Sequence, residues 1–489
     1  MEKILEKDDG NHFRIHASRA LWKVVFDEDT PSFLNYYYQC KAEKNEIDID
    51  NNEMEGACAA PEKSEVSEIA GMPDTIGTPE TAVSMVHWNP YVLHIGRRNP
   101  VEGIMSEVDT IIDGDGDSGS VGESNQKEDA MEAGMEGVRI PYIVGVATLP
   151  EYRHQGRMAR LLREGLRREA QRGTPFVWLI PADGAIYEPF SFRYVGRKYI
   201  ITWDNKTVVE NRQENRSVEK TGNGKNAVVC EASACNVTVS ELQVEDDARV
   251  SSFLNRRLSE VSDVFAIRGA DYIADARAQF QSDGGGIAVV KYKDEIEGYF
   301  SWWPEDGILK LRELVLSERL EALGSQAPGD GRRSSVLEAK LRSFFSDIAR
   351  KRNSDELRAL AGGRIEAVTT GWAGTVVTNT PVSNVMVRIA NVKSFLELFR
   401  SDVPCHIRLR VRDEIVEGNN LTCDWTVDSN DSRVVTVMEA EDDGPEGRGC
   451  DVVASPEDLV GWLFGEDEGL HRRFPHIQRY SRIHLPECV

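Results

Sequence analysis

Apolar positions along the chain recur with two periods, and each period predicts a type of element. In Ala17–Phe26, residues Ala20, Leu21, Val24 and Val25 share one face of a predicted helix. Thr30-Pro31 opens a second helix, with Thr as N-cap and Pro at the first helical position. Phe33, Leu34, Tyr37 and Tyr38 form its apolar stripe. Ala82–Leu93 reads as one or two strands broken at Asn89-Pro90, and Tyr142–Leu149 as a continuous apolar strand closed by Pro150. Met158–Arg172 returns to helical period: Met158, Leu161, Leu162, Leu166 and Ala170 face a core, and Arg157, Arg160, Arg163 and Arg167 form a solvated side. With Phe176–Ile180 as the next buried strand, the segment is a strand-helix-strand unit.

The middle third repeats this theme more weakly. Gly286–Tyr292 and Gly298–Trp303 form a predicted hairpin around Lys293-Asp294-Glu295, followed by a strand at Lys310–Leu316 and a helix at Val336–Lys351. In the last third Val385–Ala390 is a strand, and Asn391 caps a helix ending near Phe399. His406–Arg412 alternates, with Ile407, Leu409 and Val411 on one side and Arg408, Arg410 and Arg412 on the other. Trp425–Val427 and Val434–Met438 continue a small antiparallel sheet. Ser455-Pro456-Glu457-Asp458 starts a helix that Gly465 stops. The tail Ile483–Val489 is apolar enough to dock.

Four polar stretches interrupt this pattern. Residues 41–78 and 97–138 read as solvated insertions, too poor in apolar residues to offset ordering entropy. The Asp113-Gly-Asp-Gly-Asp run fails as a calcium loop, because Ser118 stands where glycine is needed and Ser124 where the bidentate glutamate is needed. Asn205–Asn236 and Ser317–Asp355 read as insertions or linkers.

Composition then narrows the options. At 489 residues the chain suits two to four domains, and 40% apolar with 29% charged residues suits a soluble globular protein. A balance of 58 basic against 82 acidic residues gives −24, which argues against nucleic acid or an anionic membrane as the main partner. No run of about eighteen apolar residues occurs, and the first residues carry no secretory signal. Eight dispersed cysteines without Cys-x-x-Cys, and nine histidines without His-Glu-x-x-His, point to reduced thiols, a cytoplasmic setting and no metal site.

The chemistry-bearing segment runs from Val144 to Leu162. A strand there enters a turn whose amides feed a helix N-terminus, which is an anion site. Arg153 and Arg157 add charge, and Gly156 lets a bulky phosphate approach the main chain. A diphosphate fits such a turn, which is too short for a Walker loop.

Arg153-His-Gln-Gly156 after an apolar strand resembles the acetyl-CoA loop of the GNAT acetyltransferases. Ile186-Tyr187 with Phe190 and Phe192 resembles an element of their Eis-like (enhanced intracellular survival) branch. Leu21-Trp22 through Tyr37-Tyr38 adds to this, and Met386-Val-Arg-Ile-Ala-Asn-Val resembles the opening of that branch's sterol-carrier-protein-like domain. Met158 departs from the general consensus for the last loop position, where glycine or alanine stands.

The resemblance implies an α/β or α+β architecture: tandem GNAT-like folds, each a mixed sheet flanked by helices, then a sterol-carrier-protein-like α+β domain. The expected boundaries are residues 1–204, 239–379 and 380–489. Only the first fold is expected to bind acetyl-CoA. The main chain of Val146, Ala147 and Thr148 would pair with the pantetheine arm. Arg153, His154, Gln155, Gly156, Arg157, Met158 and Ala159 would hold the diphosphate, with Ala182 and Asp183 beside it. The implied activity is direct acetyl transfer to a primary amine of aminoglycoside, polyamine or protein-lysine type. Tyr187 would be general acid and the C-terminal carboxylate of Val489 general base. A homo-oligomer, with a hexamer as the suggested size, also follows from the resemblance.

Plainer readings stand beside these. Tyr187 can be a core tyrosine, and the tail can dock for packing alone. Trp88, Trp178, Phe190 and Phe192 can be core aromatics, although Trp178 is expected on the strand facing the cleft. Asp27, Glu28 and Asp29 can attract a cation or simply begin a helix. The competing function is a non-catalytic protein that holds an apolar ligand in its last domain.

Overall fold

A computed structural model describes residues 44–49, 82–96, 137–196, 199–204, 236–282, 284–305, 308–325, 336–352, 356–361, 375–377, 384–427, 435–440, 449–465 and 467–485. The two helices expected before residue 40 and Asp27, Glu28 and Asp29 lie outside these residues, as does nearly all of both acidic stretches.

In chain order the first part contains β1 (Lys44–Ile49), β2 (Ala82–Ile95), β3 (Val138–Thr148), α1 (Arg157–Gln171), β4 (Phe176–Leu179), β5 (Arg193–Val195) and β6 (Tyr199–Asp204). Next come β7 (Val237–Glu241), α2 (Asp247–Val261), β8 (Val264–Ala266), α3 (Ala270–Ser282), β9 (Gly286–Tyr292), β10 (Glu295–Glu305) and β11 (Ile308–Leu316). They are followed by α4 (Glu318–Ser325), α5 (Val336–Arg352), β12 (Glu356–Ala361) and β13 (Thr375–Val377). The last part holds β14 (Val385–Ile389), α6 (Val392–Leu396), β15 (Cys405–Val411), β16 (Leu421–Val427), β17 (Val435–Glu439), β18 (Val452–Ala454), α7 (Pro456–Leu463), α8 (Glu468–Arg473) and β19 (Ile483–His484). Among the described residues no helix is long and apolar enough to cross a membrane.

These strands form three sheets. The first runs β19-β8-β2-β3-β4-β14-β5, with β1 also on β2; the second runs β13-β6-β12-β11-β10-β9-β7; the third runs β17-β16-β15-β18. Sheet membership cuts across the stretches 1–204, 239–379 and 380–489. Strand β6 leaves the first stretch for the second sheet, where it pairs with β12 and β13. Strand β14 from the last stretch inserts between β4 and β5.

Local expectations change in three places. β1 forms within the acidic stretch 41–78, because an antiparallel edge is held by backbone hydrogen bonds that do not require apolar side chains. β2 is continuous through Asn89-Pro90: Pro90 lies opposite Pro141 on β3, so two residues that cannot donate share one rung. Ser317–Asp355 is not a bare linker, since α4 lies within it beside the predicted helix, α5. The hairpin itself forms as expected, with Lys293 and Asp294 both at positive φ in a two-residue turn.

The first sheet is covered on both faces. On one, Val86, Trp88, Ile143, Val177 and Leu179 pack with Leu161, Leu162 and Leu166 of α1. On the other, Tyr91, Tyr142, Trp178 and Val387 join the core shared with β15, β16 and α7. The tail docks as far as Leu485, which is buried. There Arg482 pairs with buried Asp263 at 2.6 Å, and His484 meets Glu313, which also holds fully buried Arg268 through two bonds of 2.7 and 2.8 Å. Burial alone would raise the Glu313 pKa. Arg268 and His484 outweigh that effect and hold it well below the usual carboxylate range.

Candidate functional site

The site begins where two parallel strands part. β3 and β4 pair only at Tyr142↔Trp178 and Ile143↔Leu179. β4 stops at Leu179, with Pro181 unable to extend the ladder, while β3 continues to Thr148. Beyond Ile143, no strand among the described residues pairs with the β4 side of β3. A bulge strengthens the divergence: His87 opposes Val144 and Met85 opposes Ala147, so Gly145 and Val146 face Val86 alone. Gly145 has φ +59°, the left-handed conformation such a bulge requires. Among the described residues, the main chain of Val146, Ala147 and Thr148 therefore has no strand partner on the side where β4 has turned away.

The turn follows directly. Leu149 closes β3 by donating to Val83 O at 2.9 Å, and Pro150–Tyr152 form a short 3-10 turn. His154 lies at φ +61°, and Gly156, at φ +77°, is the N-cap of α1 without a side-chain cap. The helix leaves the amides of Arg157, Met158 and Ala159 without intrahelical acceptors, and the helix dipole places partial positive charge there. A Cβ built on Gly156 would meet nothing within 4 Å, so the approach is open. Arg153, His154 and Gln155 are exposed. The Arg153 Nε donates to Thr148 O at 3.2 Å, and the Arg157 guanidinium lies 5.0 Å from the Tyr152 ring centre.

The third component hangs from the end of β4. Ala182 and Asp183 are exposed, and Asp183 caps the turn Gly184–Ile186 by accepting from the Ala185 amide at 2.9 Å. Tyr187 donates its amide to Gly184 O at 2.8 Å and accepts from the Phe190 amide at 2.9 Å. Its ring is 8% exposed and meets Phe192 edge-on at 5.8 Å. It belongs to the cluster that holds Ile143, Leu161 and Leu179, against which Val146, Met158 and Ala159 also pack. The strand edge, the helix start and the tyrosine thus converge on one cluster. Met158 packs into this cluster, which accommodates the departure from small residues at its position. Burial pushes the Tyr187 phenol up to about 12.

Not every expected residue joins the site. Val489 lies outside the described residues, the last of which is Leu485. Trp178 does not face the cleft: it stacks on Tyr142 at 4.2 Å, on the sheet face opposite Tyr187. Sequence reasoning also missed Arg388 on β14, which is fully buried and donates to Phe190 O at 2.8 Å beside the tyrosine turn. The available signal was a single arginine inside the apolar run 385–390. Among the described residues no cluster of three or more His, Cys, Asp or Glu could hold a metal ion.

Comparison with known proteins bears on the same segment. Residues 130–195 match the model of the acetyltransferase (GNAT) domain, a span that includes β3, the turn, α1, β4 and Tyr187. No curated protein matches the chain by sequence. In fold, the chain is similar to a conserved protein of unknown function from Enterococcus faecalis V583, described as a probable N-acyltransferase. The TM-score is 0.59, with 12% identity and 97% of each chain covered. It is similar too to a GCN5-related N-acetyltransferase from Anabaena variabilis ATCC 29413, with a TM-score of 0.57, 11% identity and 98% of each chain covered. The segment that builds the cleft is therefore homologous to the GNAT acetyltransferase superfamily, within a chain that shares its fold with these two proteins.

Proposed function

We propose that the chain is an acetyl-CoA-dependent N-acetyltransferase acting on a primary amine of the aminoglycoside, polyamine or lysine type. The observation that carries this reading is the cleft itself. A stretch of β3 with no strand on its β4 side among the described residues leads to a glycine-started helix, and a buried tyrosine joins both in one cluster. The β4 side of β3, without a strand partner among the described residues, suits the amide-bearing pantetheine arm, as an added strand would. The amides from His154 to Ala159, with Arg153 and Arg157, suit its diphosphate. Ala182 and Asp183 would flank the arm from the end of β4. Bound acetyl-CoA supplies an activated acyl thioester.

The protein's own groups then handle two protons. The amine acceptor, with a pKa of about 10.4, is protonated at neutral pH and must lose a proton before attack. The terminal carboxylate of Val489 is the proposed acceptor of that proton. In support, β19 is anchored through Asp263 and Glu313, and its last residue, His484, lies five positions before Val489. Tyr187 is the proposed donor to the departing sulfur. A phenol near 12 is a weaker acid than a thiol near 8.5, so its main contribution is a hydrogen bond that strengthens as charge grows on sulfur. A net charge of −24 concentrates cationic amines near the protein.

The raised phenol pKa makes a pH prediction. The folded state favours the neutral phenol, so its stability contribution is complete below about pH 10. It is lost as pH rises from 10 toward 12. Activity is expected to show no falling limb from Tyr187 below about pH 10. A limb centred near pH 9 that disappears in Tyr187→Phe would contradict the assignment.

The base is tested by extending the C-terminus with an affinity tag. Turnover should fall roughly 10²-fold or more, with acetyl-CoA affinity retained and an N-terminal tag harmless. Full activity in the C-terminally tagged protein removes Val489 from the mechanism. The apolar-carrier reading has weaker support, because aromatic rings pack the space beneath the third sheet. Phe399 contacts Phe395, Trp425 and Trp462 at centroid distances of 5.7, 6.2 and 5.3 Å.

A further inference from the structure

We infer that Arg388 is a positioning residue for Tyr187, acting through the turn that carries the tyrosine; the inference rests on the reading of Tyr187 as general acid. β14 is buried along its whole length, and Arg388 in its centre has no exposed surface. Its planar fork is used on every side. Nε donates to Phe190 O at 2.8 Å, Nη1 donates to Ile389 O, and Nη2 reaches the two Asp413 oxygens at 2.7 and 2.8 Å. Asp413 is in turn fixed by the Ile415 and Val416 amides at 2.9 and 3.1 Å and by Asn419 Nδ2 at 2.8 Å. Asn419 also bonds Ala390 O and the Val392 amide, each at 2.9 Å, which locks this turn to the end of β14.

The connection to the site is short. The Phe190 carbonyl that Arg388 holds belongs to the residue whose amide donates to Tyr187 O. On the far side of Phe190, Ser191 sits at φ +62°, a conformation that a serine adopts only when its surroundings impose it. Glu188 and Pro189 are exposed and give the turn little anchorage of their own. A buried ion pair stabilises a fold no better than apolar residues of similar size. What apolar residues cannot supply is a rigid donor aimed at Phe190 O. Lysine can pair with Asp413, but as a point charge it cannot reproduce the fork.

The test is a double-mutant cycle between Arg388→Lys and Tyr187→Phe in the full chain, with acetyl-CoA, an accepted amine and detection of the released thiol. Arg388→Lys is expected to lower kcat by about 10-fold or more, because small displacements of a reacting group are costly. Its Kd for acetyl-CoA should stay within about two-fold. In the Tyr187→Phe background the same substitution should change kcat by no more than about two-fold, since interacting sites are non-additive. Equal losses in both backgrounds would mean that Arg388 only supports the fold, and no loss would mean that the tether is irrelevant. Either result overturns the inference. Should Arg388→Lys fail to fold, Asp413→Asn replaces it in the same cycle, with the same outcomes. A failure of the acid role itself is seen separately, as full turnover by Tyr187→Phe alone.

Discussion

Replacing Tyr187 by phenylalanine is expected to lower kcat by roughly 10²- to 10³-fold, the range for losing one positioned donor to developing charge. The Kd for acetyl-CoA should stay within about two-fold. The substitution keeps the ring, and with it the edge-on contact to Phe192 and the packing beside Leu161 and Leu179. The backbone bonds of the turn also survive, because Tyr187 makes them through its amide and carbonyl. Only the hydroxyl is lost. The variant therefore separates a core tyrosine from a working one: the first predicts wild-type turnover, the second predicts a loss in kcat without a loss in binding. Thiol release at saturating acetyl-CoA and calorimetry on the same preparation give both numbers.

The second large effect is expected at the turn. Gly156→Asp should cost about 1 kcal/mol of stability through its positive φ, leaving the fold intact, yet weaken acetyl-CoA binding by at least about 100-fold, since like charges brought together cost several kcal/mol. Aspartate is among the few residues that tolerate positive φ, and nothing lies within 4 Å of the new Cβ. The carboxylate would, however, stand where a diphosphate approaches the helix start. A variant that folds and binds acetyl-CoA as wild type would show that the turn holds no diphosphate. Thermal unfolding checks the first expectation and isothermal titration the second.

The cleft was legible in the sequence because its parts are local. The apolar run at 142–149, the helical period of Leu161, Leu162 and Leu166, and Gly156 between them all lie within a few turns of chain. The tyrosine turn was legible for the same reason. What sequence could not place are pairings between distant segments. β14 enters the first sheet beside β4, and the bond from Arg388 to Phe190 spans 198 residues. No periodicity encodes such a partner. The exchange of β6 into the second sheet is equally silent, because its residues favour a strand in either sheet. β1 was missed because backbone pairing, not apolar burial, defines it. The break expected at Pro90 does not occur: pairing with β3 continues on both sides of the Pro90–Pro141 rung, so the neighbouring rungs hold the strand together where the prolines supply no donor. Trp178 is the core aromatic it was read as, but the face it occupies was not legible: β4 is buried on both sides, so alternation gives no sign of which side carries Tyr187.

Isothermal titration of the full chain with acetyl-CoA tests the account most directly. It predicts saturable association with one coenzyme per chain, lost in Gly156→Asp and kept in Tyr187→Phe. Absence of any association up to millimolar coenzyme, or undiminished binding by Gly156→Asp, would contradict it.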